Sequence, residues 1–150
     1  LPMSVFAEEN LVAIVKKAVF SAQTTHPEIR YTQQLPATPI TLMCDEAQLG
    51  QTLLNILKNA AEALESAERK EITVTLTTDE KTITLMVEDT GAGFPADKIA
   101  TLTEPYVTTR AKGTGLGLAI VKRTVEEHKG TLTLTNREGG GACVTMVFPR

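Results

Sequence analysis

Apolar residues recur at helical spacing in the first part of the chain. Leu11, Ile14, Val15, Ala18, Val19 and Ala22 form one stripe and predict a helix from Glu8 to about Ala22. His26-Pro27 closes it, because a residue before proline avoids the helical region. Short strands are expected near Ile29–Gln33 and Ile40–Met43, split by the turn Pro36-Ala37-Thr38-Pro39. A longer helix opens at Asp45, where an aspartate followed three residues later by Gln48 reads as a capping box. Its buried stripe is Leu49, Leu53, Ile56, Leu57, Ala60 and Leu64. The spacing then changes from helical to two. Ile72, Val74 and Leu76 alternate with threonines, and so do Ile83, Leu85 and Val87 with Thr82, Thr84 and Met86, predicting half-buried antiparallel strands around the turn Asp79-Glu80-Lys81.

From Thr90 to Thr114 the pattern is irregular, and so long a loop inside a compact domain is usually functional or disordered. A third helix is expected from Leu116 to about His128, ended by Gly130. Alternation returns over Thr131–Thr135 and Cys143–Phe148, joined by Arg137–Gly141. Strands therefore come in hairpin-like pairs between helices. That order predicts an α/β two-layer sandwich with a mixed, mainly antiparallel sheet and three main helices on one face. It argues against a doubly wound parallel sheet.

Composition narrows the function classes. The chain has 150 residues, 42% hydrophobic and 22% charged, which suits one globular domain over residues 1–150. The net charge of -3 offers no basic field for nucleic acid. Cys44 and Cys143 lie far apart in apolar runs, and are expected to be reduced core residues, as in a reducing cytoplasm. No apolar run reaches the roughly 20 residues that cross a bilayer, and Leu1-Pro2-Met3 lacks the basic flank of a signal peptide. A soluble piece is expected.

Three groups can carry chemistry. Asn55 and Asn59, four apart on the second helix, share one face at the shoulder of the apolar stripe. An amide oxygen there can ligate Mg²⁺, which keeps water and phosphate as its other ligands. Asp89-Thr90-Gly91-Ala92-Gly93 leaves the end of a buried strand. Its carboxylate can accept from an exocyclic amine, and Gly91 and Gly93 permit close approach of a ring. Gly113-Thr114-Gly115-Leu116-Gly117-Leu118 opens the third helix, where free N–H groups hold phosphate, with Arg110 and Lys112 just upstream. Alone, each group also reads as polar helix residues, a tight turn or a glycine-rich loop. No strand directly precedes the glycines, so they are not a Rossmann fingerprint, and no Walker A pattern occurs.

In this order and spacing the groups resemble a known family. Asn55-Ile56-Leu57-Lys58-Asn59-Ala60-Ala61-Glu62-Ala63 is similar to the N box of the histidine kinase branch of GHKL ATP-binding domains. Asp89–Gly93 resembles the G1 box, Glu104-Pro105-Tyr106-Val107-Thr108-Thr109-Arg110 the F box, and Gly113–Leu118 the G2 box. Within that branch the chain is most like nitrogen-regulation sensor kinases of the NtrY and NtrB type. The resemblance implies a Bergerat fold with a long ATP lid, and ATP and Mg²⁺ as ligands. It implies that Asn59 ligates Mg²⁺, Asn55 contacts the phosphates, Asp89 takes the adenine amine, and Gly91 and Gly93 shape its pocket. Gly113, Gly115 and Gly117 would wrap the phosphates, with Arg110 or Lys112 near the γ-phosphate. Tyr106, Thr109, Thr114, Leu116, Leu118 and Thr145 complete the implied ATP-binding set. Two positions depart from the pattern: Tyr106 replaces a usual phenylalanine, and Cys143 a threonine near the adenine.

The resemblance further implies transfer of the γ-phosphoryl group to a histidine on a separate dimerisation hairpin, with a response regulator as indirect partner. Residues 1–9 would be residual linker from that hairpin. His26 and His128, the only histidines, are expected to be structural. The alternatives are a non-catalytic nucleotide-sensing or partner-docking domain, which should have lost one of the four boxes, and a hydrolytic ATPase of the superfamily, whose members carry a glutamate where Asn55 stands; an amide cannot act as a base. The piece is expected in the cytoplasm, its parent anchored in the inner membrane.

Overall fold

The computed structural model describes residues 3–104 and 117–150. Its first element is a strand, β1 (Ala7–Asn10), antiparallel to β3 (Thr41–Cys44) in a register running from Ala7 opposite Cys44 to Asn10 opposite Thr41. Residues 7–9 thus belong to the fold, correcting the expectation of a linker over 1–9. The helix expected from Glu8 is α1 (Leu11–Thr25). It starts later because Asn10 adopts extended backbone and its side chain accepts the Val12 N–H, 3.1 Å away.

The expected pairing of the first two strands also differs. β2 (Arg30–Gln34) runs parallel to β4 (Glu71–Thr78), while β3 pairs with β1. Pro36 and Pro39 lack N–H groups and make the intervening segment a spacer, not a tight hairpin turn. With β5 (Thr82–Asp89), β6 (Thr131–Asn136) and β7 (Ala142–Pro149), the main sheet has the order β2-β4-β5-β7-β6, every junction but the first antiparallel.

Directly opposed residues share a sheet face, so the register fixes the core. Val74 lies opposite Val87, Leu76 opposite Leu85, Leu85 opposite Met146, and Val87 opposite Val144. This face packs under α1, α2 (Glu46–Ala63) and α3, described over Gly117–Glu127. Leu11, Val15 and Val19 of α1 and Leu53, Ile56 and Leu57 of α2 meet Ile72, Ile83, Met146 and Phe148, all essentially fully buried. Each such side chain contributes about 1.5–3 kcal/mol. The opposite face carries the threonines. The two-layer α/β sandwich is as expected.

Both cysteines are free and buried. Burial first, then Glu9, Asp45 and Glu46, push the Cys44 thiol up to about 11, so it carries no thiolate near neutrality.

The end of α3 departs from expectation. Lys129, not Gly130, takes the left-handed conformation, with φ 63°. The Gly130 N–H reaches Val125 O at 2.9 Å and the Lys129 N–H reaches Glu126 O at 2.9 Å, a Schellman pair. Glycine is required at 130 for space: a Cβ would lie 2.7 Å from the Phe148 ring and 2.8 Å from Val147 O. His128 is buried at the end of α3. Its Nε2 accepts the Asp45 N–H at 3.1 Å, which leaves Nδ1–H to donate to Thr124 O at 2.8 Å, the neutral tautomer.

Candidate functional site

Asp45 caps α2: its carboxylate accepts the Gln48 N–H at 3.0 Å. Only half of the expected capping box forms. Gln48 turns its amide to Ser4 Oγ, and the Asp45 N–H goes to His128. The Val5 N–H also reaches the Asp45 carboxylate at 2.8 Å, and these backbone donors hold its pKa below the usual carboxylate value.

With its start fixed and Leu53, Ile56, Leu57 and Ala60 buried, α2 presents Asn55 and Asn59 at the edge of the core, both half-buried. Asn55 Oδ1 accepts from Gln51 Nε2 at 3.1 Å. A Cβ built on Gly117 would have Asn59 Nδ2 as its nearest neighbour, 3.9 Å away. The first described turn of α3 therefore faces Asn59.

Asp89 ends β5 on the helix-facing side of the sheet, 5% exposed. Its Oδ1 accepts the N–H of Gly91 at 2.9 Å and of Ala142 at 3.2 Å. Gly91 lies against the end of α2, where a Cβ would stand 2.6 Å from Ala63 O. Gly93 has φ +82°, and a Cβ there would meet Asn136 Oδ1 at 2.7 Å. The two glycines keep this loop flat against its neighbours, as their sequence positions suggest. Asn59, Gly117, Gly91 and Asp89 are thus grouped around the second half of α2.

Tyr106, Thr109, Arg110, Lys112, Gly113, Thr114, Gly115 and Leu116 lie outside the described residues. Leu118 is half-buried on α3, next to Gly117. Thr145 is not brought to the others. It lies opposite Met86 and Thr133, one residue out of phase with Val144 and Val87, hence on the sheet face turned away from Asp89. Cys143 shares that outward face, its Sγ 3.5 Å from Thr145 Oγ1. Both departures follow from the two-residue period of a strand.

Sequence reasoning missed the segment connecting β6 and β7. Asn136 brackets Phe94, accepting its N–H at 2.7 Å and donating to its C=O at 2.9 Å. Arg137 pairs with Glu88 at 3.3 Å and also donates to Gly140 O at 3.0 Å. Gly141, with φ +107°, passes so close to the Asp89 carbonyl that no Cβ fits. The run Gly139-Gly140-Gly141 was the available signal for such an approach.

The family model for histidine kinase-, DNA gyrase B- and HSP90-like ATPases matches residues 44–150. An NtrY-like sensor histidine kinase of Rickettsia bellii (strain RML369-C) is 41% identical over 148 residues, covering 99% of this chain and 24% of the relative. The nitrogen regulation protein NtrY of Azorhizobium caulinodans is 37% identical over 99% of this chain and 20% of its own. The chain therefore spans about a quarter or less of the length of these relatives. Among solved structures, the mycobacterial sensor histidine kinase MprB superposes with a TM-score of 0.85 at 26% identity, covering 97% of both chains. Full-length ShkA in complex with AMPPNP superposes at 0.83 with 26% identity, covering 99% of this chain and 32% of that one.

Proposed function

From the premise that the chain belongs to the histidine kinase-, DNA gyrase B- and HSP90-like ATPase family, on its sensor histidine kinase branch, we propose that it binds Mg-ATP and donates the γ-phosphoryl group to a histidine on a separate helical hairpin. The observation that carries this reading is the convergence of Asn59, Gly117 and the Asp89–Gly93 loop around one stretch of α2.

The residues fit the ligand. Gly91 and Gly93 let the loop lie close against Ala63 O and Asn136 Oδ1, and the buried Asp89 carboxylate beside them accepts two backbone N–H groups. Asp89 would accept the adenine amine. Asn59 would ligate Mg²⁺ and Asn55 the phosphates. Gly113, Gly115 and Gly117, with Tyr106, Thr109, Arg110, Lys112, Thr114, Leu116 and Leu118, would close over the polyphosphate from the lid and the start of α3. When bound, Mg-ATP supplies the phosphoryl group and neutralises part of its charge. What the protein supplies is position and fixed dipoles.

The acceptor lies elsewhere. Both ring nitrogens of His128 are engaged, and His26 closes α1 beside Glu28 at 3.5 Å. An imidazole of a separate hairpin, itself a nucleophile, is the fitting acceptor, and a response regulator would take the group from there. Hydrolysis is disfavoured because Asn55, with Gln51 as partner, cannot deprotonate water. No helix of the described residues is long and apolar enough to cross a membrane.

Calorimetric titration with a non-hydrolysable ATP analogue, in Mg²⁺ and then in EDTA, tests the reading. Micromolar binding that weakens in EDTA is expected, and Asn59→Ala should weaken Mg²⁺-dependent binding at least about tenfold while leaving the EDTA affinity unchanged. No binding by the wild-type chain in either condition sinks the reading. Unchanged affinity in the variant sinks the metal assignment alone.

A further inference from the structure

The loop Asp89–Phe94 is held from outside as well as from α2. Thr90 is tied to Arg69 and Glu71 at the start of β4, and further holds at both ends of the loop come from one short segment, residues 136–142. At the near end, Ala142 N–H donates to the Asp89 carboxylate, Gly141 packs against the Asp89 backbone, and Arg137 is tied to Glu88. At the far end, Asn136 makes both backbone hydrogen bonds that Phe94 can offer, across 42 residues of sequence. Its Oδ1 also stands where a side chain on Gly93 would be.

Asn136 is exposed, yet it supplies two strand-like hydrogen bonds to a loop that has left the sheet, at a residue, Phe94, that packs against the core. A two-point amide clamp fixes both the position and the tilt of a peptide, where a single bond fixes neither. The peptides it fixes are those of Gly93 and Phe94, the far rim of the loop whose near rim is Asp89.

We infer that Asn136 is a positioning residue that sets base selectivity: its clamp on Phe94, with the Arg137–Glu88 pair at the other end, holds the Asp89–Phe94 loop at the spacing that admits adenine and rejects guanine. The inference rests on the nucleotide reading above. Asn136 touches no nucleotide and acts through the loop it holds.

The test compares the wild-type chain with Asn136→Ala and Asn136→Asp by calorimetry, using non-hydrolysable ATP and GTP analogues and Mg²⁺. In Asn136→Ala the ATP analogue should weaken about tenfold or more, the scale on which a small misplacement acts. The GTP analogue should change little, so that the affinity ratio collapses. Asn136→Asp keeps the acceptor for the Phe94 N–H and loses the donor to its carbonyl, and should fall between. Amide exchange at Phe94 should rise in the same order. A parallel loss of both nucleotides, or an unchanged ratio with raised exchange at Phe94, overturns the selectivity role and leaves the clamp merely structural. Failure of the wild-type chain to bind either analogue is a different result: it removes the nucleotide reading itself, and the selectivity role with it.

Discussion

At the scale of single residues, function and stability meet in the glycines. Gly139, Gly140 and Gly141 all have positive φ, but only Gly141 is pressed against another backbone, that of Asp89. Gly139 has open space around a built Cβ. Gly139→Ala should therefore cost only the left-handed penalty of about 1–2 kcal/mol. Gly141→Ala adds an overpacked contact and should exceed about 3 kcal/mol. Urea denaturation of the two variants checks this, and equal losses would mean that the Asp89 contact is easily relieved. The placement of Asn55 and Asn59 at the shoulder of α2 and of Asp89 at the end of β5 was legible beforehand, because it follows from local spacing on one helix or at one strand end. Asn136 was not. A side chain that clamps a backbone 42 positions away leaves no periodic trace, and an exposed asparagine near a turn is what any turn contains. Thr145 misled for the opposite reason: its distance from the strand end was readable, but which face it occupied depended on a register that only the paired strands set.

At the scale of elements, α2 matters most, since it carries both asparagines and touches the Asp89 loop. Its N-terminus was read correctly from Asp45, and the half-formed box shows why a sequence signature is incomplete. The Asp45 N–H that Gln48 was expected to satisfy is taken by His128, from the other end of the chain. Removing the cap with Asp45→Ala should cost about 0.5–2 kcal/mol. Because the backbone N–H groups of Val5 and Gln48 lower the Asp45 pKa in the folded state, the carboxylate's contribution is complete above the unfolded value of about 3.9. It is lost as pH falls through the lower folded value. Thermal melts from pH 7 to pH 3 should show wild type and Asp45→Asn converging at the acid end. A constant gap across that range would show that the charge plays no part. The strand partners were less legible than the helices. β2 and β4 carry no signal that they run parallel, because that pairing is settled by where Pro36 to Pro39 leads the chain.

At the scale of the whole molecule, the order of elements from α1 onward and the two-layer architecture could be read from periodicity alone, since a stripe and an alternation each need one covering layer; β1 could not. What joins the ends could not. Phe6 stacks on His128 with ring centroids 4.7 Å apart, the Val5 N–H reaches Asp45, and Asp45 donates to His128. One neutral imidazole therefore gathers the segment ahead of β1, the start of α2 and the end of α3. The last two belong to the same helices whose Asn59 and Gly117 face each other at the candidate site. His128→Leu keeps much of the volume but leaves the Asp45 N–H without an acceptor in a buried place, a loss of about 1–3 kcal/mol. His128→Gln can return an oxygen near Nε2 and should recover part of it. If the joint holds α2 against α3, the Leu variant should also raise amide exchange in the first turns of α2, and the Gln variant should restore protection there. A loss of stability equal in both variants, with exchange unchanged at α2, would reduce His128 to a packed ring at the end of its own helix.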